Sequence, residues 1–278
     1  MILLADSGST KTEWILINEG KFQLQTESIG LNPYFVSPQA IEKALKESEL
    51  LPYFEQVKEL HFYGAGCSNE ERSHFLKTEF SRYFKQASIQ IKTDIEAALM
   101  ASAENEPCTV CILGTGSTFR HFDGKNMIRK YSSLSYIMGD EGSGTYIAKS
   151  LLRGIFYQNF DQELIDKFFL KYPINSEILL EKVYQEERAN RYLASFVPFC
   201  KENIAHPQIE NLILNAFEQF YLEHLDKYTE YKSYPVHFIG SIAYHFEEQL
   251  SKIAQKHQFK VGKIIQKPLG QIAEKLLH

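Results

Sequence analysis

The residues with the clearest potential for chemistry lie near the amino terminus, in the segment ILLADSGSTKTEWILI. Two aliphatic runs flank a turn, residues 6–12, which contains an acid, a glycine, a lysine and four hydroxyl side chains. Backbone N–H groups in such a turn form a concave anion-binding nest, to which the hydroxyls and Lys11 would add donors and positive charge. An acid beside a phosphate makes sense when Mg²⁺ lies between them, so Asp6 is a candidate metal-binding residue. A polar hairpin turn without a ligand is the alternative.

A second turn of similar composition, LGTGST at residues 113–118, follows another aliphatic run. It repeats the order of the opening segment, strand, small-residue turn and strand, but without the acid. We interpret the two hairpins as copies of one duplicated unit. Two such nests facing each other would clamp the β- and γ-phosphates of a nucleotide. The chain contains neither a Walker A pattern nor a G-x-G-x-x-G dinucleotide pattern.

Asp94 stands between the two turns in sequence, where the strand pattern SIQIKTD gives way to the helix pattern IEAALMASA. A helix N-cap is one interpretation, because aspartate is common in that position. A general base that accepts the proton of a hydroxyl attacking a γ-phosphate is the other. The two roles can coexist, and the place of Asp94 between the two turns favours the base.

Two further glycine-containing turns precede helix patterns. In MGDEGSG, Asp140 and Glu141 lie among three glycines. The acids alone could favour a helix N-terminus, but three glycines also permit close approach of a ligand to the backbone. In FIGSIAYHF, Gly240 and Ser241 occupy a strand-to-helix turn that could receive part of a nucleotide.

The hydrophobic pattern predicts an α/β protein with two lobes. The first three strand patterns, ILLA, WILI and KFQLQTES, indicate an antiparallel meander, and strand and helix patterns then alternate. Helix starts are predicted at Ser37-Pro38 and Asn69. After residue 144 the chain is mostly helical until a late strand, VHFIG, and a closing helix, PLGQIAEKLLH. We predict a first lobe over residues 1–110, a second over 111–265, and a closing helix over 266–278 that packs on the first lobe.

Composition excludes several classes of protein. The 278 residues are 44% hydrophobic and 23% charged, which is typical of globular proteins, and the formal net charge is −5. No surplus of cations is present to bind nucleic acid. No segment approaches about 18 consecutive apolar residues, so no membrane span is predicted. The amino terminus lacks a signal-peptide pattern, and a cytoplasmic location is expected.

Cys108 and Cys111 form a C-x-x-C pattern, which suggests a metal or redox site. The surrounding segment, PCTVCILG, is typical of a buried strand, however, and residues three apart on a strand point to opposite faces. We therefore expect buried, inert thiols here.

Five motifs in order, DSGSTKTEW, TDIEAAL, GTGST, GDEGSG and FIGSIA, make the chain resemble the N-acetylglucosamine kinase and BadF/BadG-type ATPase family. That family belongs to the superfamily of sugar kinases, actin and heat-shock chaperones. The resemblance runs from residue 4 to about residue 275 and implies two ribonuclease-H-like lobes, each a mixed β-sheet flanked by helices, with the active site in the cleft between them. It also implies ATP and Mg²⁺ as cofactors, a small sugar as substrate and a possible homodimer.

The resemblance assigns roles to individual residues. Asp6 would help to hold Mg²⁺, Asp94 would be the catalytic base and a sugar contact, and Asn32 and Asp140 would bind the sugar. Gly240 and Ser241 would belong to the adenosine motif. The residues of the two phosphate loops would be Ser7, Gly8, Ser9, Thr10, Lys11 and Thr12 in the first and Gly114, Thr115, Gly116 and Ser117 in the second.

One segment departs from the family pattern. Family sugar kinases typically have Gly-Gly-Trp-Gly before the counterpart of MGDEG, where the glycines and the ring line the sugar pocket. This chain has Ser132, Ser133, Leu134 and Ser135 instead. We assign Ser135 to the sugar pocket, and the altered segment leaves the identity of the sugar open.

The first functional hypothesis is an ATP-dependent kinase for a hydroxyl of an amino sugar, with N-acetylglucosamine as the substrate and N-acetylmuramate or glucosamine as alternatives. The second is a BadF/BadG-type ATPase that activates a partner enzyme. Such activators bridge an iron–sulfur cluster between subunits through paired cysteines on glycine-rich loops, and only Cys67 lies in such a loop here. A sugar-sensing or actin-like scaffold is the third, and the presence of Asp94 argues against it.

Overall fold

The computed structural model describes residues 1–8, 10–103, 106–129, 133–185, 188–228 and 232–277. The chain divides into two units, one of Met1–Glu104 with Lys267–His278 and one of Asn105–Gln266. Each unit is built on a mixed five-stranded sheet with flanking helices. The predicted α/β class with two lobes is therefore confirmed. Across the described residues, no helix is both long and apolar enough to cross a membrane.

The sheet of the first unit has the strand order β3-β2-β1-β4-β5. Its strands are β1 (Ile2–Ser7), β2 (Lys11–Asn18), β3 (Lys21–Ile29), β4 (Glu59–Gly64) and β5 (Ser88–Thr93). The first three pair antiparallel, which confirms the predicted meander, and β4 and β5 run parallel to β1. Parallel neighbours require crossover connections, which here contain helices.

The helices of the first unit begin where the sequence predicts. They are α1 (Pro38–Lys46), α2 (Glu70–Ser81) and α3 (Asp94–Ser102). The Ser37 hydroxyl accepts from Ala40 N, and the Asn69 side chain accepts from Arg72 N, so each caps its helix. Between the sheet and the helices lies a core with an aromatic centre, in which the Phe80 ring is 6.2 Å from Trp14 and 5.0 Å from Phe62.

The sheet of the second unit repeats the topology of the first. Its strands are β6 (Cys108–Leu113), β7 (Ser117–Phe122), β8 (Met127–Ile128), β9 (Val236–Ile239) and β10 (Val261–Ile265). The order is β10-β9-β6-β7-β8, with β6, β7 and β8 antiparallel and β9 and β10 parallel to β6. Read from the other edge, the second order is β8-β7-β6-β9-β10, which matches β3-β2-β1-β4-β5 of the first sheet strand by strand. The two sheets therefore have the same topology, as the proposed duplication requires.

A larger set of helices surrounds the second sheet. They are α4 (Ser135–Met138), α5 (Gly144–Phe156), α6 (Gln162–Lys171), α7 (Ser176–Tyr184), α8 (Ala189–Ala194), α9 (Val197–Glu202), α10 (Pro207–Phe220), a π-helical turn (Tyr221–Leu225), α11 (Ser241–His245) and α12 (Glu247–His257). Helix α5 is central, because its Ile147, Leu151 and Ile155 are completely buried in the core of this unit. This core carries the loops that follow β6 and β9.

The last helix, α13 (Leu269–Leu277), belongs to the first unit. Its Leu269 and Ile272 are fully buried. The Lys275 ammonium donates to the Met100 carbonyl at 2.7 Å and to the Ala103 carbonyl at 3.3 Å. These carbonyls lie at the C-terminal end of α3, where a cation is favoured. Helix α13 is thereby attached to the helix that starts at Asp94.

Candidate active site

The first predicted phosphate turn joins β1 to β2. Gly8 N donates to Lys11 O at 3.0 Å and closes the turn, and Gly30 N donates to Thr10 O at 3.1 Å. Gly8 is exposed and Thr10 is half-buried, whereas Ser9 lies outside the described residues. The geometry gives a short turn tied to the end of β3, and its contact with a phosphate stays a prediction.

The hydroxyls of Ser7 and Thr12 are buried beneath this turn. Their oxygens are 2.8 Å apart, Leu31 N donates to Ser7 Oγ at 2.9 Å, and the Thr12 hydroxyl donates to Ile29 O at 2.9 Å. Both residues are fully buried. In this structure the two hydroxyls support the turn from inside the protein.

The Lys11 side chain is directed to a surface carboxylate. Its Nζ lies 2.7 Å from Glu27 Oε1, and both side chains are about half exposed. An ion pair this exposed is weak, so it can open at little cost. The predicted contribution of Lys11 to phosphate binding therefore requires a different side-chain position.

Asp6 lies near the carboxyl end of β1, directly opposite Glu13 on β2. The pKa of Asp6 is raised to about 7, mainly by burial and then by the charges of Asp94 and Glu13, while Lys267 lowers it. Asp6 is therefore surrounded by negative charge that Lys267 compensates only in part. The sequence identified Asp6 and Asp94 but missed Glu13 and Lys267.

The residues around Asp6 fit a magnesium ion that arrives with phosphate ligands. Mg²⁺ is usually held by one or two carboxylates together with waters and substrate phosphates. Asp6 supplies such a carboxylate in a strongly negative environment. Within the described residues, no group of three or more His, Cys, Asp or Glu could hold a metal ion by itself. The donor set therefore suits a nucleotide-bound cation better than a permanent metal centre.

Asp94 is the first residue of α3, but it is not the N-cap. The cap is Thr93, whose hydroxyl accepts from Glu96 N at 3.4 Å, while Glu96 Oε2 accepts from Thr93 N at 2.8 Å. This reciprocal capping box satisfies the helix start. The interpretation of Asp94 as an N-cap is therefore wrong, and its carboxylate, which accepts from Ile95 N at 2.9 Å, is not required to cap the helix.

Asn32 lies in the loop after β3 and is buried. Its Oδ1 accepts from Tyr34 N at 3.0 Å. Gly66, in the turn after β4 at a φ of +84°, packs against it so closely that a Cβ there would be 2.6 Å from Asn32 Oδ1.

Strands β1, β3, β4 and β5 run in the same direction. Each has one candidate site residue at or just after its carboxyl end, in the same order: Asp6, Asn32, Gly66 and Asp94. They therefore share the carboxyl edge of the first sheet, the edge where open α/β sheets bind ligands.

The second predicted phosphate turn, residues 114–116, joins β6 to β7 and is bonded to the start of α5. Gly114 N donates to Gly116 O at 3.0 Å. Gly144 N donates to Gly114 O at 2.8 Å, and both Thr145 N and the Thr145 hydroxyl donate to Thr115 O. The loop carbonyls thus satisfy the first N–H groups of the helix, which fixes the loop in place.

Asp140 lies against this second turn. Its carboxylate accepts from the Ser133 hydroxyl at 3.3 Å. Burial raises the pKa of Asp140, and the nearby Ser117 N–H and Ser133 hydroxyl oppose the rise. A Cβ on Gly116 would be 2.7 Å from Asp140 Oδ2. The Ser117 hydroxyl is buried without a hydrogen-bond partner in the described part of the chain, so a bound ligand could use it.

The segment that departs from the family pattern leads into α4. Ser132 lies outside the described residues. Ser135 begins α4 at a φ of +59°, and its N–H donates to the Ser133 hydroxyl at 3.3 Å. Leu134 is 65% exposed. Ser133, rather than Ser135, contacts Asp140, so Ser133 is an additional candidate for the sugar site.

Gly240 and Ser241 connect β9 to α11. Gly240 has a φ of +115°, and its N–H donates to Ile265 O at 2.9 Å. A Cβ there would be 2.4 Å from Leu113 O, so the turn after β9 packs directly on the end of β6. Because β6 and β9 are parallel neighbours, this turn and the second phosphate turn lie at the same edge of the second sheet.

Two features of the GDEGSG motif were not predicted. Glu141 Oε2 lies 2.9 Å from His224 Nε2, in the π-helical turn, and this bond lowers the pKa of Glu141. Gly142, at a φ of +72°, packs against Phe220, where a Cβ would be 2.9 Å from the Phe220 Cβ. This glycine therefore serves helix packing as well as backbone conformation.

The four cysteines are free and buried, which confirms the expectation for Cys108 and Cys111. Burial raises the pKa of Cys67 and Cys200 to about 12 and that of Cys108 to about 11, and it also raises the pKa of Cys111. Protonated, buried thiols are poor nucleophiles and poor metal ligands.

The BadF/BadG/BcrA/BcrD ATPase family matches residues 5–273, and the chain belongs to this family. Membership implies ATP as the nucleotide. No curated protein matches the sequence.

Solved structures share the fold. A candidate N-acetylglucosamine kinase of Porphyromonas gingivalis is 32% identical, with a TM-score of 0.92 over 100% of this chain and 99% of that chain. A candidate N-acetylglucosamine kinase of Chromobacterium violaceum is 16% identical, with a TM-score of 0.71 over 100% and 98%. A ROK family glucokinase of Streptomyces griseus, solved with glucose and AMPPNP, is 12% identical, with a TM-score of 0.54 over 99% and 98%. The last two similarities concern the fold alone.

Proposed function

We propose that this chain is an ATP-dependent kinase that transfers the γ-phosphoryl group to a hydroxyl of N-acetylglucosamine. The observation that carries the proposal is the pair of carboxylates Asp6 and Asp94 at the carboxyl edge of the first sheet. They are close enough for the Asp94 charge to raise the pKa of Asp6. A phosphotransferase needs one acid for the cation of the nucleotide and one for the proton of the acceptor.

Asp94 is the base in this proposal. Thr93 and Glu96 form the capping box, so α3 does not depend on the Asp94 side chain for its N-cap. The attached closing helix, through Lys275, holds the other end of α3. A base on a helix fixed at both ends keeps its orientation while the acceptor binds.

Asp6 would hold Mg²⁺ through water, and the bound ion would neutralise charge on the transferring phosphoryl group. The backbone of residues 8–12 and of residues 114–117 would donate to phosphate oxygens. Gly240 and Ser241 would adjoin the adenosine. Because the second turn is bonded to α5, its N–H groups keep their direction without reorganisation during the reaction.

Asn32, Asp94 and Asp140 would bind the sugar, together with Ser133 and Ser135. The 32% identity to the candidate kinase of Porphyromonas gingivalis supports N-acetylglucosamine as the substrate. The serines at the position of the usual glycines and tryptophan make N-acetylmuramate and glucosamine the substrates to compare with it.

Buried cysteines favour this proposal over a partner-activating ATPase. An iron–sulfur cluster bridged between subunits requires accessible thiolates, but Cys67 is 6% exposed and its pKa is raised to about 12. A colourless purified protein is expected, whereas bound iron would favour the partner-activating ATPase.

The proposal is tested by ADP release from ATP and Mg²⁺ with a panel of sugars. N-acetylglucosamine is expected to stimulate release the most, followed by N-acetylmuramate or glucosamine, and glucose the least. Equal release with and without every sugar would contradict the kinase proposal.

A further inference from the structure

Three carboxylates lie side by side on one face of the first sheet. The β1–β2 register places Asp6 opposite Glu13, and the β2–β3 register places Glu13 opposite Glu27. Directly opposed residues on antiparallel strands project from the same face, with Cβ atoms about 5 Å apart. We call Asp6, Glu13 and Glu27 the carboxylate row. Like charges in this arrangement destabilise a sheet unless a cation compensates them.

Lys267 provides that compensation for Glu13 and shares Glu27 with Lys11, whose Nζ lies 2.7 Å from Glu27 Oε1. The Lys267 Nζ lies 2.9 Å from Glu13 Oε1 and 3.1 Å from Glu27 Oε1. The Glu13 side chain is only 6% exposed, and it also accepts from Gln25 Nε2 at 2.7 Å. A nearly buried carboxylate depends strongly on its cation, because removing one partner leaves an uncompensated charge.

The third member of the row, Asp6, is not among the ion-pair partners of Lys267 in the described residues, which are Glu13 and Glu27. We propose that Lys267 is a positioning residue, the resident counter-ion of Glu13 in the carboxylate row. It neutralises Glu13 and, together with Lys11, Glu27, and leaves Asp6 as the carboxylate that receives the cation of the nucleotide. This inference rests on the proposed function for the role of Asp6.

Lys267 is well placed for this task. It is the first residue of the Lys267–His278 segment, which completes the first unit. Helix α13 follows it, and Lys275 attaches that helix to the end of α3. The helix thus fixes the position of Lys267, which is 254 residues away from Glu13 in sequence.

The proposal has a consequence that needs neither ATP nor sugar. Without Lys267, the nearly buried Glu13 lacks its cation and lies opposite a second carboxylate, Asp6, so a divalent ion becomes the substitute. Mg²⁺ alone should then stabilise a Lys267→Met variant, whereas it should leave the wild-type protein unchanged.

The experiment compares thermal unfolding of wild type, Lys267→Met, Lys267→Arg and Lys275→Met without nucleotide. Each is measured in millimolar MgCl₂ and in NaCl of equal ionic strength, which separates binding from screening. Lys275→Met is the matched control. It also removes an ammonium from the C-terminal segment, but this ammonium contacts backbone carbonyls and no carboxylate in the described residues. Lys267→Met is expected to melt roughly 5 °C below wild type in NaCl and to recover most of that loss in MgCl₂. Lys267→Arg should behave as wild type, and Lys275→Met should show no recovery.

Equal effects of Mg²⁺ on Lys267→Met and Lys275→Met, or on Lys267→Met and wild type, would overturn the proposal. If Lys267→Met does not fold, the double variant Glu13→Gln/Lys267→Met decides the matter. Recovery of folded protein supports the counter-ion role, and failure of the double variant to fold overturns it. The unfolding experiment contains no sugar or ATP, so the two proposals can fail separately. If no sugar stimulates ADP release but Mg²⁺ still raises the melting temperature of Lys267→Met, the kinase proposal is rejected and the counter-ion role of Lys267 is retained.

Discussion

The carboxylate of Asp140 packs against Gly116, where a Cβ would be only 2.7 Å from Asp140 Oδ2. A residue predicted to bind the sugar therefore lies directly against the loop predicted to bind phosphate. The contact depends on Gly116, because a side chain there would occupy the space of Asp140 Oδ2. The second unit thus brings the two candidate functions together.

Gly116→Ala is expected to raise the sugar KM by about tenfold, because the added Cβ would be 2.7 Å from Asp140 Oδ2 and the carboxylate must move from its place in the proposed sugar site. Steady-state kinetics with varied sugar measures the effect. Gly114→Ala is the control for an added methyl group in the same loop, since a Cβ there meets no atom within 4 Å. An equal rise in sugar KM for both variants would contradict the role of Asp140.

Gly66→Ala is expected to raise the sugar KM through Asn32. The new Cβ would lie 2.6 Å from Asn32 Oδ1, which is too close, so the Asn32 side chain must move. Gly20→Ala is the matched control, since Gly20 also has a positive φ, +68°, but has no atom within 4 Å of a built Cβ. Both variants should lose about 1 kcal/mol of unfolding free energy from the unfavourable φ. Only Gly66→Ala should change the sugar KM, and an unchanged value would remove Asn32 from the sugar site.

Asp6→Asn is expected to stabilise the nucleotide-free protein, and more at pH 8 than at pH 5. The folded-state pKa of Asp6, about 7, lies above the unfolded value, so ionisation of Asp6 destabilises the fold progressively as the pH rises from about 4 to 7. Asparagine removes this penalty. Allowing for the partial exposure of Asp6, the gain at pH 8 should exceed that at pH 5 by on the order of 2 kcal/mol. Denaturant unfolding at both pH values measures it, and equal gains would contradict the raised pKa.

Asp94→Asn is expected to lower kcat by about 10²–10⁴-fold while nucleotide affinity and melting temperature stay near wild type. The Thr93–Glu96 capping box does not involve the Asp94 side chain, so α3 should remain intact. Asp161→Asn is the control, because the Asp161 side chain is 67% exposed at the start of another helix. Retention of kcat in Asp94→Asn would remove the proposed base.

Local patterns were sufficient to predict much of the fold. The meander of β1, β2 and β3 follows from alternating and aliphatic runs, and Ser37 and Asn69 cap their helices as their side chains suggest. The duplicated hairpins appear as equivalent first and second strands in two sheets of the same order. These features are encoded by residues close together in sequence.

Long-range contacts explain what the sequence did not predict. Glu13 faces Asp6 only because of the strand register, and Lys267 reaches Glu13 from the other end of the chain. His224 meets Glu141 across 83 residues.

One local feature was also not predicted. Thr93 caps α3 in place of Asp94, since Glu96 completes a capping box with threonine. Propensity identified Asp94 as a possible cap, but the reciprocal bonds between Thr93 and Glu96 place the cap one residue earlier.

The central claim is tested most directly by identifying the product that accompanies ADP. Wild-type protein is incubated with ATP, Mg²⁺ and N-acetylglucosamine, and phosphorus NMR is used to follow the phosphoryl group. A kinase is expected to form one sugar phosphate ester for each ADP released, with little inorganic phosphate. ADP accompanied by inorganic phosphate alone, with no sugar ester, would contradict the account.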